Sequence, residues 1–260
     1  MFEIDDVLKT FSEVSRNWNK KNEFIAAKSG ETRRLHKILK EIVTPGMRIL
    51  DVGSGTGKMP NFLAGIENDI EIIAIDLALN MVFNASLLGG KVSAFLADIQ
   101  NPCFKNEVFD IVVLQQVLHH LPNPSLAIQE IFRILKPEGF LTILTVGCYY
   151  QTNLFKDCTE DMLTDPLGRT SSYLLRELML DVGFKVVNTI DDYFEMTFTN
   201  FNHYFDFLNA IGSLRKIFKY KLPPANAKEM ICERLFNSRI PPANEIKIDG
   251  HYITVIAKKC

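Results

Sequence analysis

Residues 49–57 read Ile-Leu-Asp-Val-Gly-Ser-Gly-Thr-Gly, an apolar strand running straight into three alternating glycines. Alternating glycines let a backbone turn sharply and approach a ligand where a Cβ would collide. A helix that follows such a turn aims its unpaired N–H groups at that ligand. Strands and helices then alternate up to residue 190, the pattern of a parallel sheet with helices on both faces. The loop is therefore a candidate nucleotide-cofactor loop in an α/β fold.

Spacing decides which cofactor. A phosphate-binding loop of the form G-x-x-x-x-G-K-[ST] places Val52 where its first glycine belongs, and Met59 follows Lys58. A dinucleotide fingerprint, G-x-G-x-x-G, places Lys58 at its third glycine, because Gly57 falls one residue early. The spacing that fits is D-x-G-x-G-x-G, from Asp51 through Gly53 and Gly55 to Gly57. In this the sequence resembles the class I S-adenosylmethionine (SAM) dependent methyltransferases, whose cofactor carries an amino acid and an adenosine but no phosphate.

Further segments agree in order and spacing. The run 70–76 ends in Asp76, where a carboxylate can accept both ribose hydroxyls. The run 91–97 ends at Asp98-Ile99, which resembles the pair that meets the adenine. Residues 109–114 form a strand followed by Gln115-Gln116-Val117-Leu118-His119-His120-Leu121-Pro122. An amphipathic helix over 127–135, a turn at Lys136-Pro-Glu-Gly-Phe140 and a strand over 141–146 come next. This stretch is similar to the family's fourth and fifth motifs, with Glu138 where the family usually has glycine. The resemblance covers roughly residues 31–147. It implies a doubly wound, seven-stranded, mostly parallel Rossmann-like sheet with an antiparallel last strand and a helical insertion. It also implies SAM contacts at Asp51, Gly53, Ser54, Gly55, Gly57, Asp76, Leu77, Asp98, Ile99, Leu114 and Gln115.

Composition excludes other classes. At 260 residues and 47% hydrophobic, the chain can bury a sizeable core. A net charge of −2 gives no general attraction to nucleic acid or anionic membrane. No stretch reaches the roughly 18 uninterrupted apolar residues of a membrane span. The acidic start, Met-Phe-Glu-Ile-Asp-Asp, lacks the basic residues of a signal peptide, so a cytoplasmic location is expected. The five cysteines, Cys103, Cys148, Cys158, Cys232 and Cys260, show no C-x-x-C spacing. They read as free thiols, with no disulfide framework and no metal site.

The chain divides into a helical cap at 1–30, a SAM-binding core at 31–190, a helical lid or insertion at 191–249 and a last strand at 250–260. The piece from Phe11 to Asn19 resembles a lead-in that folds over the cofactor in small-molecule members of the family, which nominates Trp18. Its other reading is a helix packed onto the domain. A helix over 171–182 closed by Gly183 leads to a strand over 184–190. In the insertion, Phe194, Met196, Phe198, Phe201, Tyr204, Phe205, Phe207 and Leu208 read either as a lid over a lipophilic pocket or as a subdomain core. Arg215, Lys216, Lys219 and Lys221 read either as an anion site or as a solvated face. The repeat Pro-Pro-Ala-Asn at 223–226 and 241–244 brackets a helix over 227–236.

A sulfonium methyl is already activated, so such an enzyme mainly aligns a nucleophile and excludes water. A general base is needed only if the acceptor loses a proton, and His120 is the candidate, ahead of His119 and Tyr149. The expected partner is a small-molecule acceptor, with features similar to ubiquinone/menaquinone and malonyl-carrier-protein methyltransferases. Two alternatives stand: a SAM-fold protein that binds without turnover, and an NAD-dependent dehydrogenase.

Overall fold

The computed structural model describes residues 3–14, 31–152, 168–218, 223–238 and 244–260. Helices α1 (Ile4–Val14) and α2 (Glu31–Ile42) lead into β1 (Met47–Val52), α3 (Lys58–Ala64), β2 (Ile70–Asp76), α4 (Leu79–Ser86) and β3 (Val92–Leu96). After β4 (Phe109–Gln115) and a 3₁₀ turn at Leu118–His120 come α5 (Pro124–Ile134), β5 (Leu135–Val146), α6 (Ser172–Val182) and β6 (Phe184–Phe198). The described chain closes with α7 (Phe201–Ala210), α8 (Ser213–Ile217), α9 (Ala227–Phe236) and β7 (Ile246–Lys259).

The strands form one seven-stranded sheet in the order β3-β2-β1-β4-β5-β7-β6. The first five are parallel neighbours, and β7 runs antiparallel between β5 and β6. This is the expected doubly wound sheet with its antiparallel last strand. Chain order reverses between β1 and β4, so a crevice opens beyond the carboxyl ends of those two strands, where ligands of open α/β sheets bind.

Both faces of the sheet are covered, which is why its central strands are apolar without alternation. Ile49, Ile72, Ile111 and Val113 face Leu35 and Leu39 of α2 and Met59 and Leu63 of α3. The intervening residues Leu50, Val52, Ile73, Ile75 and Val112 face Ala127, Ile128 and Ile131 of α5 and Leu175 and Met179 of α6. Each fully buried aliphatic side chain stabilises the fold by about 1.5–3 kcal/mol before the entropic cost of ordering it. Helix starts are capped as their sequences suggest: Asn123 and Ser171 accept the backbone N–H of Leu126 and Leu174, and Gly183 closes α6 at φ 108°. Glu138 adopts φ 67° within β5, where the pairing with β4 shifts register between Leu135 and Phe140, which explains why glycine suits that position.

Strand β6 runs well past the expected 184–190, and β7 begins at Ile246, ahead of the expected 250. Phe194, Met196 and Phe198 pair with Gly250, Ile248 and Ile246, so they extend a strand. The period-2 spacing of these three residues is masked in sequence because aromatic residues continue directly into α7. There the spacing becomes helical, and Phe201, Tyr204, Phe207 and Leu208 are buried against Ile231, Cys232, Ile246 and Ile248. Most of the aromatic cluster is therefore core. Helix α9 occupies the expected 227–236.

At the end of β5, the buried His251 ring holds the turn of residues 147–150. Its Nδ1 accepts the Tyr149 N–H at 3.2 Å, so the neutral tautomer donates from Nε2 to Asp191 Oδ1 at 2.9 Å. The Tyr193 ring stacks on it at 4.3 Å, and Gly147 passes so close that a Cβ there would lie 2.1 Å from Nδ1. Burial holds the His251 pKa below the ordinary imidazole value, outweighing the opposing Asp191 carboxylate. The folded chain thus binds this proton less tightly than the unfolded chain does. The contribution to stability is present above about pH 6.5 and is lost as pH falls through the folded value. Thermal melts should show wild-type stability dropping more steeply between neutral pH and mild acid than that of His251→Gln. Parallel pH profiles would rule the latch out.

Candidate active site

The loop after β1 is stitched to the end of β2. Gly53 and Ser54 both donate backbone N–H to the Ile75 carbonyl, at 2.8 and 3.0 Å, and Gly57 donates to the Ser54 carbonyl. Gly53, Gly55 and Gly57 have φ of 67°, 54° and 83°, a region L side chains rarely enter. A Cβ on Gly53 would lie 2.4 Å from a Val117 methyl. The glycines therefore serve both the turn and the close approach.

Two carboxylates converge beneath this loop. Asp76 accepts the Gly55 N–H at 2.9 Å on one oxygen and the Ala78 N–H at 2.9 Å on the other. Burial raises its pKa, and the backbone N–H groups of Ala78, Gly55 and Leu77 partly offset that rise. Asp51 is 1% exposed, and its Oδ2 has no partner among the described residues. Burial first, and the neighbouring Asp76 carboxylate second, push the Asp51 pKa well above the carboxylate range. Ser54 Oγ, buried nearby, also lacks a partner. Buried polar atoms are normally satisfied. A ligand bringing N–H groups and positive charge fits this end, as the ammonium and sulfonium of SAM do.

These groups line a cavity of about 510 Å³, within the range of small-molecule sites. Asp51, Gly53, Ser54, Gly55, Asp76, Leu77, Asp98, Ile99, Gln115 and His120 all line it. Asp98 accepts the Gln100 N–H at 2.9 Å, and Gln100 Oε1 accepts the Asn123 N–H at 2.7 Å, which pins the loop after β3 to the start of α5. Gln115 Nε2 donates to Thr32 Oγ1 at 3.3 Å. Two of the expected contacts lie elsewhere. Leu114 is fully buried in the core facing α5, because strand alternation turns it away from the crevice. Gly57 sits outside the lining as the residue preceding α3, packed beside Leu88 and Ala85. Trp18 lies outside the described residues, as do Cys158, Lys219 and Lys221.

The far end of the cavity was only partly legible in the sequence. Val7, Leu8 and Phe11 of α1 line it together with Tyr150, Ile211, Ser213, Lys216 and Tyr252. The two adjacent histidines divide their work. His119 is buried with Nδ1 3.1 Å from Thr145 Oγ1, whereas His120 is half-buried and meets the Phe11 ring edge-on at 4.6 Å. Helices α1 and α8 hold each other through an ion pair between Glu13 and Arg215. Lys216 is buried and donates to the His119 carbonyl at 2.7 Å. Lys216, read from sequence as part of either an anion site or a solvated face, is thus a roof strut, and no periodicity in the short α8 signals it.

A seven-stranded sheet with antiparallel β7, a three-glycine turn after β1 and acidic residues closing β1 and β2 define a Rossmann-like methyltransferase fold. Residues 50–143 match the family model described as "Methyltransferase domain". Over that stretch the chain is similar to methyltransferase domains, and the groups around the glycine loop suit a cofactor such as SAM. It is 27% identical over 141 residues to a demethylmenaquinone methyltransferase of Renibacterium salmoninarum, covering 54% of this chain and 58% of that one. It is 24% identical over 200 residues to the ubiquinone/menaquinone biosynthesis C-methyltransferase UbiE of Vibrio campbellii, covering 73% and 71%. The chain thus spans little more than half the length of the first of these relatives. Among solved structures, a candidate methyltransferase from Bacillus halodurans superposes with a TM-score of 0.61 at 21% identity, covering 86% of this chain and 98% of that one. The [4+2]-cyclase SpnF superposes at 0.57 with 23% identity, covering 87% and 80%. No described helix is long and apolar enough to cross a membrane.

Proposed function

We propose that this chain transfers the methyl group of SAM to a lipophilic, ring-bearing small molecule of the quinol type. The observation that carries this reading is the polarity of the cavity beyond β1 and β4. One end holds the carboxylates of Asp51 and Asp76, and the other is walled by Phe11, Val146, Tyr150, Ile211 and Tyr252 around His120. The quinone-acting relatives point to the same acceptor class.

In this reading Asp51 and the glycine loop hold the amino-acid part of the cofactor, Asp76 the ribose and Asp98-Ile99 the adenine. Bound SAM supplies a methyl on a positively charged sulfur. Transfer of that methyl to the acceptor's electron pair, with the sulfur keeping the pair of the broken bond, would leave S-adenosylhomocysteine. The roof of α1 and α8 excludes water and aligns the acceptor. His120 takes the proton the acceptor loses.

Calorimetric titration with SAM, S-adenosylhomocysteine and NAD, followed by transfer of labelled methyl to demethylmenaquinol, tests the proposal. Binding of NAD but not SAM would sink it. If His120 is the base, His120→Ala lowers kcat by about 10²–10⁴-fold and leaves SAM affinity unchanged. An unchanged kcat removes it from the chemistry. The second reading is binding without methyl transfer, which the fold of the cyclase SpnF favours. SAM binding with no transfer to any quinol or phenol would select it.

A further inference from the structure

The outer face of α4 and the edge strand β3 expose an apolar surface that the site does not use. Leu79, Phe83 and Leu87 recur at every fourth position of the helical stretch and are 68%, 62% and 70% exposed. Leu88 follows at 37%, and Leu96, 58% exposed, lies on the same face of β3 as Val92 and Ala94, the face that α4 covers, whereas Phe95 lies on the opposite face of the strand. The five residues on the α4 side leave roughly 500 Å² of apolar surface in solvent, in the upper part of the range for a monomer. β3 is also a sheet edge, with β2 as its one strand neighbour among the described residues. Sheet edges are ordinarily guarded by charge, proline or a bulge. Here Lys91 is the one charged residue between Leu77 and Ala97. Its ammonium is turned inward, donating to the carbonyls of Ala64 and Glu67 at 2.9 and 2.8 Å. The Gly89-Gly90 turn beside the strand has open space around both residues, so nothing obstructs approach.

We propose that this face pairs with the same face of a second copy of the chain, making a two-fold dimer through α4 and β3. Two such surfaces together reach about 1,000 Å², the least that a biological interface should clear. A patch without exposed charge meets its own copy with no like-charge penalty, as an isologous interface requires. A membrane fits less well, since the stretch from Leu77 to Ala97 holds one basic residue, Lys91, whose ammonium is turned inward, and the chain carries a net charge of −2.

The test is sedimentation and light scattering of the full chain across a dilution series, in reductant so that thiols form no crosslinks. The expected result is twice the chain's mass at high concentration, with Phe83→Asp and, separately, Leu79→Asp weakening the dimer by about tenfold or more. Both positions are exposed, so the thermal midpoint of each diluted variant should match that of the diluted wild type. A monomer at every concentration overturns the proposal. So does a dimer that neither variant weakens, because another face then makes it. A monomeric chain that binds phosphatidylcholine vesicles through Phe83 overturns it in favour of a lipid surface. SAM binding is read separately, so loss of the dimer leaves the proposed activity untouched.

Discussion

Gly53→Ala is expected to weaken SAM binding by about 2–4 kcal/mol, the joint cost of a non-glycine residue in the left-handed region and of a methyl forced into Val117. At φ 67° the added Cβ lies 2.4 Å from a Val117 methyl, and a β-branched side chain has little freedom to swing aside. The loop must therefore move, and it carries with it the Gly53 and Ser54 hydrogen bonds to Ile75. The double variant Gly53→Ala with Val117→Ala should recover the collision part and leave the backbone part. Titration of both variants, with melting curves to confirm folding, separates the two costs. Wild-type affinity in Gly53→Ala would show that the loop is not the cofactor wall.

Asp76→Ala should weaken SAM binding by about 1.5–3 kcal/mol, the range for hydrogen bonds to a charged group. The carboxylate is held by the N–H groups of Gly55 and Ala78 and so is preorganised toward the crevice. Its removal also takes away the charge that helps raise the Asp51 pKa, so that carboxyl should move back toward its ordinary range. Calorimetry at two pH values reads both effects. Unchanged affinity removes Asp76 from the site, and an unmoved proton linkage removes its coupling to Asp51.

The glycine-loop half of the cavity is legible in sequence because its determinants are local. The glycines follow β1 directly, and Asp76 and Asp98 each lie at or just past the end of a strand, where backbone direction alone aims them at the crevice. Even there the strand period fails where it is not counted: Leu114 adjoins the crevice in sequence yet points into the core. The opposite half of the cavity is assembled from α1, the turn around Tyr150, α8 and β7, segments far apart in the chain. Lys216 reaches the His119 carbonyl across 97 residues, a contact that no spacing rule encodes. The aromatic segment misleads for a related reason. Strand and helix periods abut at residues 198–201, and a run of aromatic residues looks alike under both.

Strand β7 lies between β5 and β6, although it follows both in the chain. During synthesis β6 emerges with no neighbour to pair with, and its exposed edge waits for the segment that will separate it from β5. The sheet grows outward through the first five strands, but its other flank closes only by insertion. Folding of that flank is therefore governed by long-range contacts and should be slow and prone to aggregation relative to the first five strands. A nascent chain stalled before residue 246 would carry an assembled glycine loop beside a cavity that still lacks its Tyr252 wall.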